Sequence, residues 1–203
     1  MTAIFDMDGT LIDSSKILSN SVNYVRNSLG LPPLESDFII QSLNNPKLNL
    51  AKVLYKQDEI TPELYAKFRS YYDKNHQKEL VLFDGIKELL EELKQNNIKL
   101  VVATNAYKAT TLATLEHINI KDFFDEVVSF EDVKNPKPHP DMLEYITTKL
   151  SSQKPIFIGD SANDYLAAKE AKIPFVYVDF INKKDGIKSV SELAKTLKSF
   201  FRV

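Results

Sequence analysis

Five short apolar runs, each closed by polar or acidic residues, constrain this chain more than any other feature. Residues 3–5 stop at Asp6, 98–103 at Thr104, 156–158 at Gly159-Asp160 and 175–178 at Asp179, and 126–130 carries Val-Val. The runs are β-branched or aromatic and too short for helices, so they read as strands. Helical patterns lie between them. Ile86, Leu89, Leu90 and Leu93 recur at i, i+3, i+4 and i+7 behind Asp84-Gly85, with Asp84 as the expected N-cap. Residues 138–150 carry Met142, Leu143, Ile146 and Leu150, and 163–171 carry Leu166, Ala167 and Ala171. Strands alternating with helices predict an α/β fold with a parallel, doubly wound sheet.

One stretch breaks the alternation. Between the first and second strands, residues 14–82 read as all-helical: Ile17, Leu18, Val22, Val25 and Leu29 form one stripe, stopped by Gly30 and Pro32-Pro33. A short helix follows around 35–43, then the break Asn44-Asn45-Pro46, another helix around 47–55, and a start at Thr61-Pro62-Glu63 with Pro at the first helical position. That last helix bears Leu64, Phe68, Tyr71 and Tyr72. This is too much chain for one crossover. It predicts a helical cap at 14–82 inserted into a core built from 1–13 and 83–203, with Asp13-Ser14 as the N-cap of the first cap helix.

Composition narrows the chemistry. The 203 residues hold 26 Lys+Arg against 28 Asp+Glu, a net charge of -2 with no basic run, which argues against nucleic acid and anionic membrane as partners. The absence of Cys excludes disulfides, zinc-thiolate sites and iron-sulfur clusters. With only His76, His117 and His139, a multi-His metal site is a poor fit, and a metal on carboxylates would be a hard ion such as Mg²⁺. The start Met-Thr-Ala-Ile-Phe-Asp is unlike a signal peptide, and no apolar run approaches the ~18 residues of a membrane span. A soluble cytoplasmic protein, monomeric or a small homo-oligomer, is the expectation, with Lys183-Lys184 as a solvated pair.

In an open α/β sheet, ligands bind beyond the carboxyl ends of the strands, where the strand order reverses. The residues expected there are Asp6-Met7-Asp8-Gly9-Thr10, Thr104-Asn105, Lys137 in the loop 135–140, and Gly159-Asp160-Ser161-Ala162-Asn163-Asp164. Carboxylates meeting in one place raise one another's pKa unless a cation sits among them, so the cluster suits a hard divalent ion. Thr104, Asn105, Lys137 and backbone N–H groups around Gly9 and Thr10 are donors suited to a phosphoryl group. Phosphoryl transfer needs both sides.

These stretches resemble those of the haloacid dehalogenase superfamily of aspartate-nucleophile phosphatases. The similarity is greatest to its phosphoglycolate-phosphatase-like branch with an inserted helical cap. Four motifs carry it, in order: Ile4-Phe5-Asp6-Met7-Asp8-Gly9-Thr10-Leu11-Ile12-Asp13-Ser14, Val102-Ala103-Thr104-Asn105, Lys137-Pro138-His139-Pro140-Asp141 and Ile158-Gly159-Asp160-Ser161-Ala162-Asn163-Asp164. The resemblance implies a Rossmann-like core and a phosphatase that acts on a small phosphorylated metabolite, phosphoglycolate-like or a sugar phosphate. It implies Asp6 as nucleophile, forming an aspartyl-phosphate, and Asp8 as the group that protonates the leaving group and then activates water. Mg²⁺ would be held by the Asp6 and Asp160 carboxylates and the Asp8 carbonyl, with Asp164 in or just outside that set. Thr104 and Asn105 would bond the phosphoryl oxygens and Lys137 would neutralise their charge. The cap would close over the substrate, its loop Asn44-Asn45-Pro46-Lys47 supplying amides and a cation in place of the Gly usual in related caps. Lys172 likewise stands where a Gly is common before Ile173-Pro174. A phosphomutase of the β-phosphoglucomutase type, which usually has Ser where this chain has Asn105, and a non-catalytic binding module are the alternatives.

Overall fold

The computed structural model describes residues 1–181 and 184–203. Among them the central sheet has five strands: β1 (Thr2–Phe5), β2 (Lys99–Thr104), β3 (Glu126–Ser129), β4 (Pro155–Gly159) and β5 (Phe175–Tyr177). Their order is β3-β2-β1-β4-β5, and every neighbouring pair is parallel. Phe5 pairs with Val102 on one side and Ile158 on the other. The helices are α1 (Ser15–Ser28), α2 (Ser36–Leu43), α3 (Pro62–Glu79), α4 (Ile86–Gln95), α5 (Lys108–His117), α6 (Asp141–Lys149), α7 (Ala162–Ala171) and α8 (Val190–Phe201).

Strands covered on both faces lose the polar alternation, which is why these read as continuous apolar runs. Ile4, Val101, Ala103, Val128 and Phe157 pack with Met142, Leu143 and Ile146 of α6 and with Ala167 and Ala168 of α7. The alternate residues Ala3, Phe5, Leu100, Val102, Ile156 and Ile158 point the other way and are equally buried. The chain lays β1, β2 and β3 outward in one direction, then crosses back to lay β4 beside β1. The reversal lies between β1 and β4, and in open sheets of this kind ligands bind beyond the strand ends at such a reversal.

Packing divides the chain into two compact units, Met1–Asp13 with Leu82–Val203, and Ser14–Val81. The second unit gathers Val22, Val25, Ile39, Leu54, Tyr55 and Leu64 into its own apolar cluster. Thr61 caps α3 as its sequence suggests, accepting from the Leu64 N–H at 3.4 Å ahead of Pro62.

Three local expectations change. The stretch 47–55 holds only a five-residue π-helical turn, Ala51–Tyr55. The buried Arg26 guanidinium takes the Leu54 carbonyl and also donates to Pro32 O at 2.8 Å, and Lys56 turns left-handed at φ 56°, so the helix does not propagate. Ser14 occupies the N-cap of α1 but makes no side-chain capping bond, because its backbone sits at φ −103°, ψ 6° rather than in the extended form that aims a hydroxyl at the first turn. The N-cap of α4 is Gly85, not Asp84, at φ 87°, a conformation an aspartate resists. Lys184 is exposed and its N–H donates to Asp179, whereas Lys183 lies outside the described residues. Among the described residues no helix is long and apolar enough to cross a membrane.

Lys172 ends α7 in the left-handed region, at φ 57°. A side chain there costs about 1–2 kcal/mol, partly offset by the ~0.4–1 kcal/mol that glycine adds to the entropy of the unfolded chain. Lys172→Gly is therefore expected to stabilise the protein by up to about 1 kcal/mol. A denaturant titration that shows a lower midpoint for the variant would contradict this.

Candidate active site

The turn after β1 is built around Met7, which is fully buried. Its carbonyl accepts from the N–H groups of Leu11 (2.9 Å) and Ile12 (3.1 Å), with Thr10 N at 3.4 Å, and Asp6 N–H donates across to Ile158 O at 2.9 Å. Gly9 is required here twice over. Its φ is +79°, and a Cβ on it would fall 2.1 Å from Asp160 Oδ2. The Gly9 N–H, expected to face a phosphoryl group, donates instead to Ile12 O at 2.8 Å, so Gly9 supplies room rather than a donor. The Thr10 hydroxyl points at Asp160 Oδ1, 3.5 Å away. Asp8, partly buried, forms an isolated bridge with Ile12.

At the end of β4, Ser161 and Asp164 form a capping box on α7. The Ser161 N–H and hydroxyl donate to Asp164 Oδ2 at 3.1 and 2.5 Å, and the Asp164 N–H returns a bond to Ser161 Oγ at 3.2 Å. Gly159 lets this helix start close to the strand, since a Cβ there would lie 2.6 Å from Asp164 Cβ. The cap leaves Asp164 Oδ1 free to accept from Lys137.

Lys137 reaches in from the loop after β3, across a cis Lys137–Pro138 bond. Its Nζ donates to Asp6 Oδ1 at 2.6 Å, Asp164 Oδ1 at 2.6 Å and Ala103 O at 2.8 Å. An ammonium has three donors, and all three are used. Thr104, the last residue of β2, is buried, and its hydroxyl accepts from the Ala106 N–H at 3.0 Å. Asn105 is exposed, but both ends of its side-chain amide are engaged by the backbone of Lys137, at 2.8 and 3.0 Å.

The Asp6, Asp160 and Asp164 carboxylates each offer an oxygen within 4.8 Å of the others. Burial pushes the Asp6 carboxyl up to about 7; Lys137 works against the rise, and Asp164 and Asp8 add to it. Burial also drives Asp160 well above the usual carboxylate range, helped by Asp6 and Asp164. For Lys137, burial acts to lower the pKa, but Asp164 and Asp6 outweigh it and hold the ammonium above its ordinary value. One ammonium among three carboxylates leaves an excess of negative charge that a divalent cation would balance. The donor set is all oxygen, which fits Mg²⁺ and not a soft metal.

Asn44, Asn45 and Lys47 belong to the helical unit. Asn44 is the C-cap of α2, Asn45 Oδ1 accepts from the Lys47 N–H at 3.0 Å, and Lys47 is exposed. The sequence reading missed the Lys137–Asp164 contact and the use of the Asn105 amide. The only hint was that Pro136-Lys137-Pro138 carries a single backbone N–H, which has to find an acceptor.

The chain matches the model of the haloacid dehalogenase-like hydrolases over residues 3–178. It is 33% identical to a phosphoglycolate phosphatase from Pasteurella multocida, over 82% of this chain and 80% of that one. It is 27% identical to the pyrophosphatase PpaX of Halalkalibacterium halodurans, over 88% and 83%. A crystal structure of a predicted phosphoglycolate phosphatase from Haemophilus somnus superposes with a TM-score of 0.81 at 26% identity, covering 98% of this chain and 96% of the other.

The raised Asp6 pKa has a consequence for stability. Between 3.8 and about 7 the folded chain keeps a proton on Asp6 that the unfolded chain has released. The folded state then binds more protons, so the Asp6 contribution to stability falls as pH rises through this window. In chelator-treated protein, the Tm of the wild type relative to Asp6→Asn should fall between about pH 4 and pH 7. Added Mg²⁺ should raise the wild-type Tm more at the upper end than at the lower. A wild-type minus variant difference that stays flat with pH would refute the buried-carboxyl account.

Proposed function

We infer that this chain, which belongs to the haloacid dehalogenase-like hydrolases and is a phosphatase of that family, hydrolyses a small phosphomonoester through an aspartyl-phosphate on Asp6, with Mg²⁺ as cofactor. The observation that carries this reading is the buried Lys137 ammonium, 2.6 Å from Asp6 Oδ1, at the strand-order reversal between β1 and β4. It fixes one carboxylate at the crevice with a cation beside it, where a phosphoryl dianion would otherwise be repelled.

In this reading an Asp6 oxygen attacks phosphorus and the bond to the leaving alkoxide breaks, the alkoxide taking a proton from Asp8. Asp8 then removes a proton from water, which attacks the aspartyl-phosphate, frees inorganic phosphate and restores the Asp6 carboxylate. Asp6, Asp160, Asp164 and the Asp8 carbonyl would hold the Mg²⁺, which when bound offsets the charge of carboxylate and phosphoryl oxygens. Lys137 supplies the fixed positive charge on the protein side, and the Thr104 hydroxyl, which accepts from the Ala106 N–H, would donate its proton to a phosphoryl oxygen. Phosphoglycolate is the preferred substrate class because phosphoglycolate phosphatases recur among the relatives, with pyrophosphate as the competing one. The proposed partner is thus a small phosphorylated metabolite.

Phosphate release should be tested on a panel of phosphoglycolate, sugar phosphates, pyrophosphate and an aryl phosphate. Excess chelator should abolish turnover, and Ca²⁺ should not restore it, because its looser and larger coordination displaces the nucleophile. Asp8→Asn should lower turnover by ~10²–10⁴-fold. Asp6→Asn should remove it and accept no covalent label from ³²P-substrate. Full activity in chelator, or a labelled Asp6→Asn protein, would overturn the mechanism. A hexose 1-phosphate converted to its 6-phosphate isomer would point to a mutase instead.

A further inference from the structure

We propose that Asn105 is a positioning residue whose side-chain amide sets the backbone of Lys137, and so aims the Lys137 ammonium at Asp6 and Asp164. The inference rests on the phosphatase reading for its catalytic consequence. The link itself rests on geometry alone.

The Lys137 loop is short of tethers. Pro136 and Pro138 have no N–H, so within Pro136-Lys137-Pro138 the only backbone donor is that of Lys137. Asn105 Oδ1 accepts it at 3.0 Å, and Asn105 Nδ2 donates to the Lys137 carbonyl at 2.8 Å. The side-chain amide thus pairs with Lys137 as a neighbouring strand would, through one donor and one acceptor. A second clamp lies just outside it: Asp141 Oδ2 accepts from the Asn135 N–H at 3.1 Å and the Asn135 side chain at 3.0 Å. That clamp sets the ends of the loop but does not touch Lys137.

Asn105 is well placed for this task. It follows Thr104, whose backbone is held in register with Ser129 of β3. Its Cα therefore moves with the sheet, and the amide transfers that rigidity to a loop outside the ladder. The ammonium at the far end of Lys137 needs it. Three bonds of 2.6, 2.6 and 2.8 Å converge on one nitrogen, and a lysine side chain has four rotatable bonds through which backbone error is passed on. A misplacement of ~1 Å in such a group costs on the order of 10²-fold in rate.

The competing role, a direct bond from the Asn105 side chain to the phosphoryl group, makes no demand on the Lys137 backbone. Asn105→Ala removes both bonds to Lys137. Positioning predicts that it lowers turnover by roughly 10- to 100-fold and loosens the Lys137 backbone together. Direct phosphoryl contact predicts the loss of turnover with the Lys137 backbone still held. The second readout needs no substrate: amide hydrogen exchange of Lys137, measured by NMR on the whole protein. The Lys137 amide should be protected in the wild type and should exchange faster in Asn105→Ala, with amides of β1 and β2 unchanged. A Lys137 amide equally protected in Asn105→Ala, or wild-type turnover in Asn105→Ala, overturns the proposal. A wild type that releases no phosphate from any phosphoester defeats the phosphatase reading instead, and the exchange experiment then decides the Asn105–Lys137 link by itself.

Discussion

A buried ammonium with every proton committed organises this protein's core. Lys137 Nζ draws one acceptor from the end of β1 (Asp6), one from β2 (Ala103 O) and one from the first turn of α7, just past β4 (Asp164), while its own backbone comes from the loop after β3. Four strand ends therefore meet at one cation. Burying such a charge is costly unless it is paired and fully hydrogen-bonded, and here it is both. In the proposed mechanism the group that makes the acidic cluster tolerable in the fold also steadies a phosphoryl dianion.

The strand order explains how closely the two turns approach. Because β4 lies directly beside β1, the turn after β1 and the turn after β4 compete for one volume, and Gly9 yields it to the Asp160 carboxylate. Burial and mutual repulsion push the Asp6 and Asp160 carboxyls above the usual carboxylate range, so bringing them this close favours their protonated forms. A divalent cation is the simplest way to ionise them together.

Much of this was legible in the sequence, for identifiable reasons. The five strands could be read because burial on both faces makes them unbroken apolar runs, and their ends misplaced by only a residue or two because Thr2, Thr104, Pro155 and Gly159 look like loop residues. Asp6, Thr104, Lys137 and Asp160 were readable as a cluster because a parallel sheet brings all its carboxyl ends to one edge. What escaped was the choice of hydrogen-bond partner. Whether the Gly9 N–H faces Ile12 or a ligand depends on how the loop closes, and so does whether the Asn105 amide faces Lys137. The π-helical turn at Ala51–Tyr55 was hidden for the same reason: the Arg26 guanidinium that takes the Leu54 carbonyl lies far away in sequence.

Asp164 shows how fold and site share a single residue. Its Oδ2 closes the capping box with Ser161, a device found wherever a helix must start cleanly, and its Oδ1 receives Lys137. The first use fixes the rotamer that the second requires. The N-terminal end of α7 adds a favourable dipole for negative charge at this position. A carboxylate so held can accept an ammonium without searching for it. The entropy of ordering the pair is then met largely by forming the helix. The site is thus preorganised by the same local rule that begins α7, and Gly159, which alone allows the helix to start so near the strand, belongs to the site although it carries no functional group.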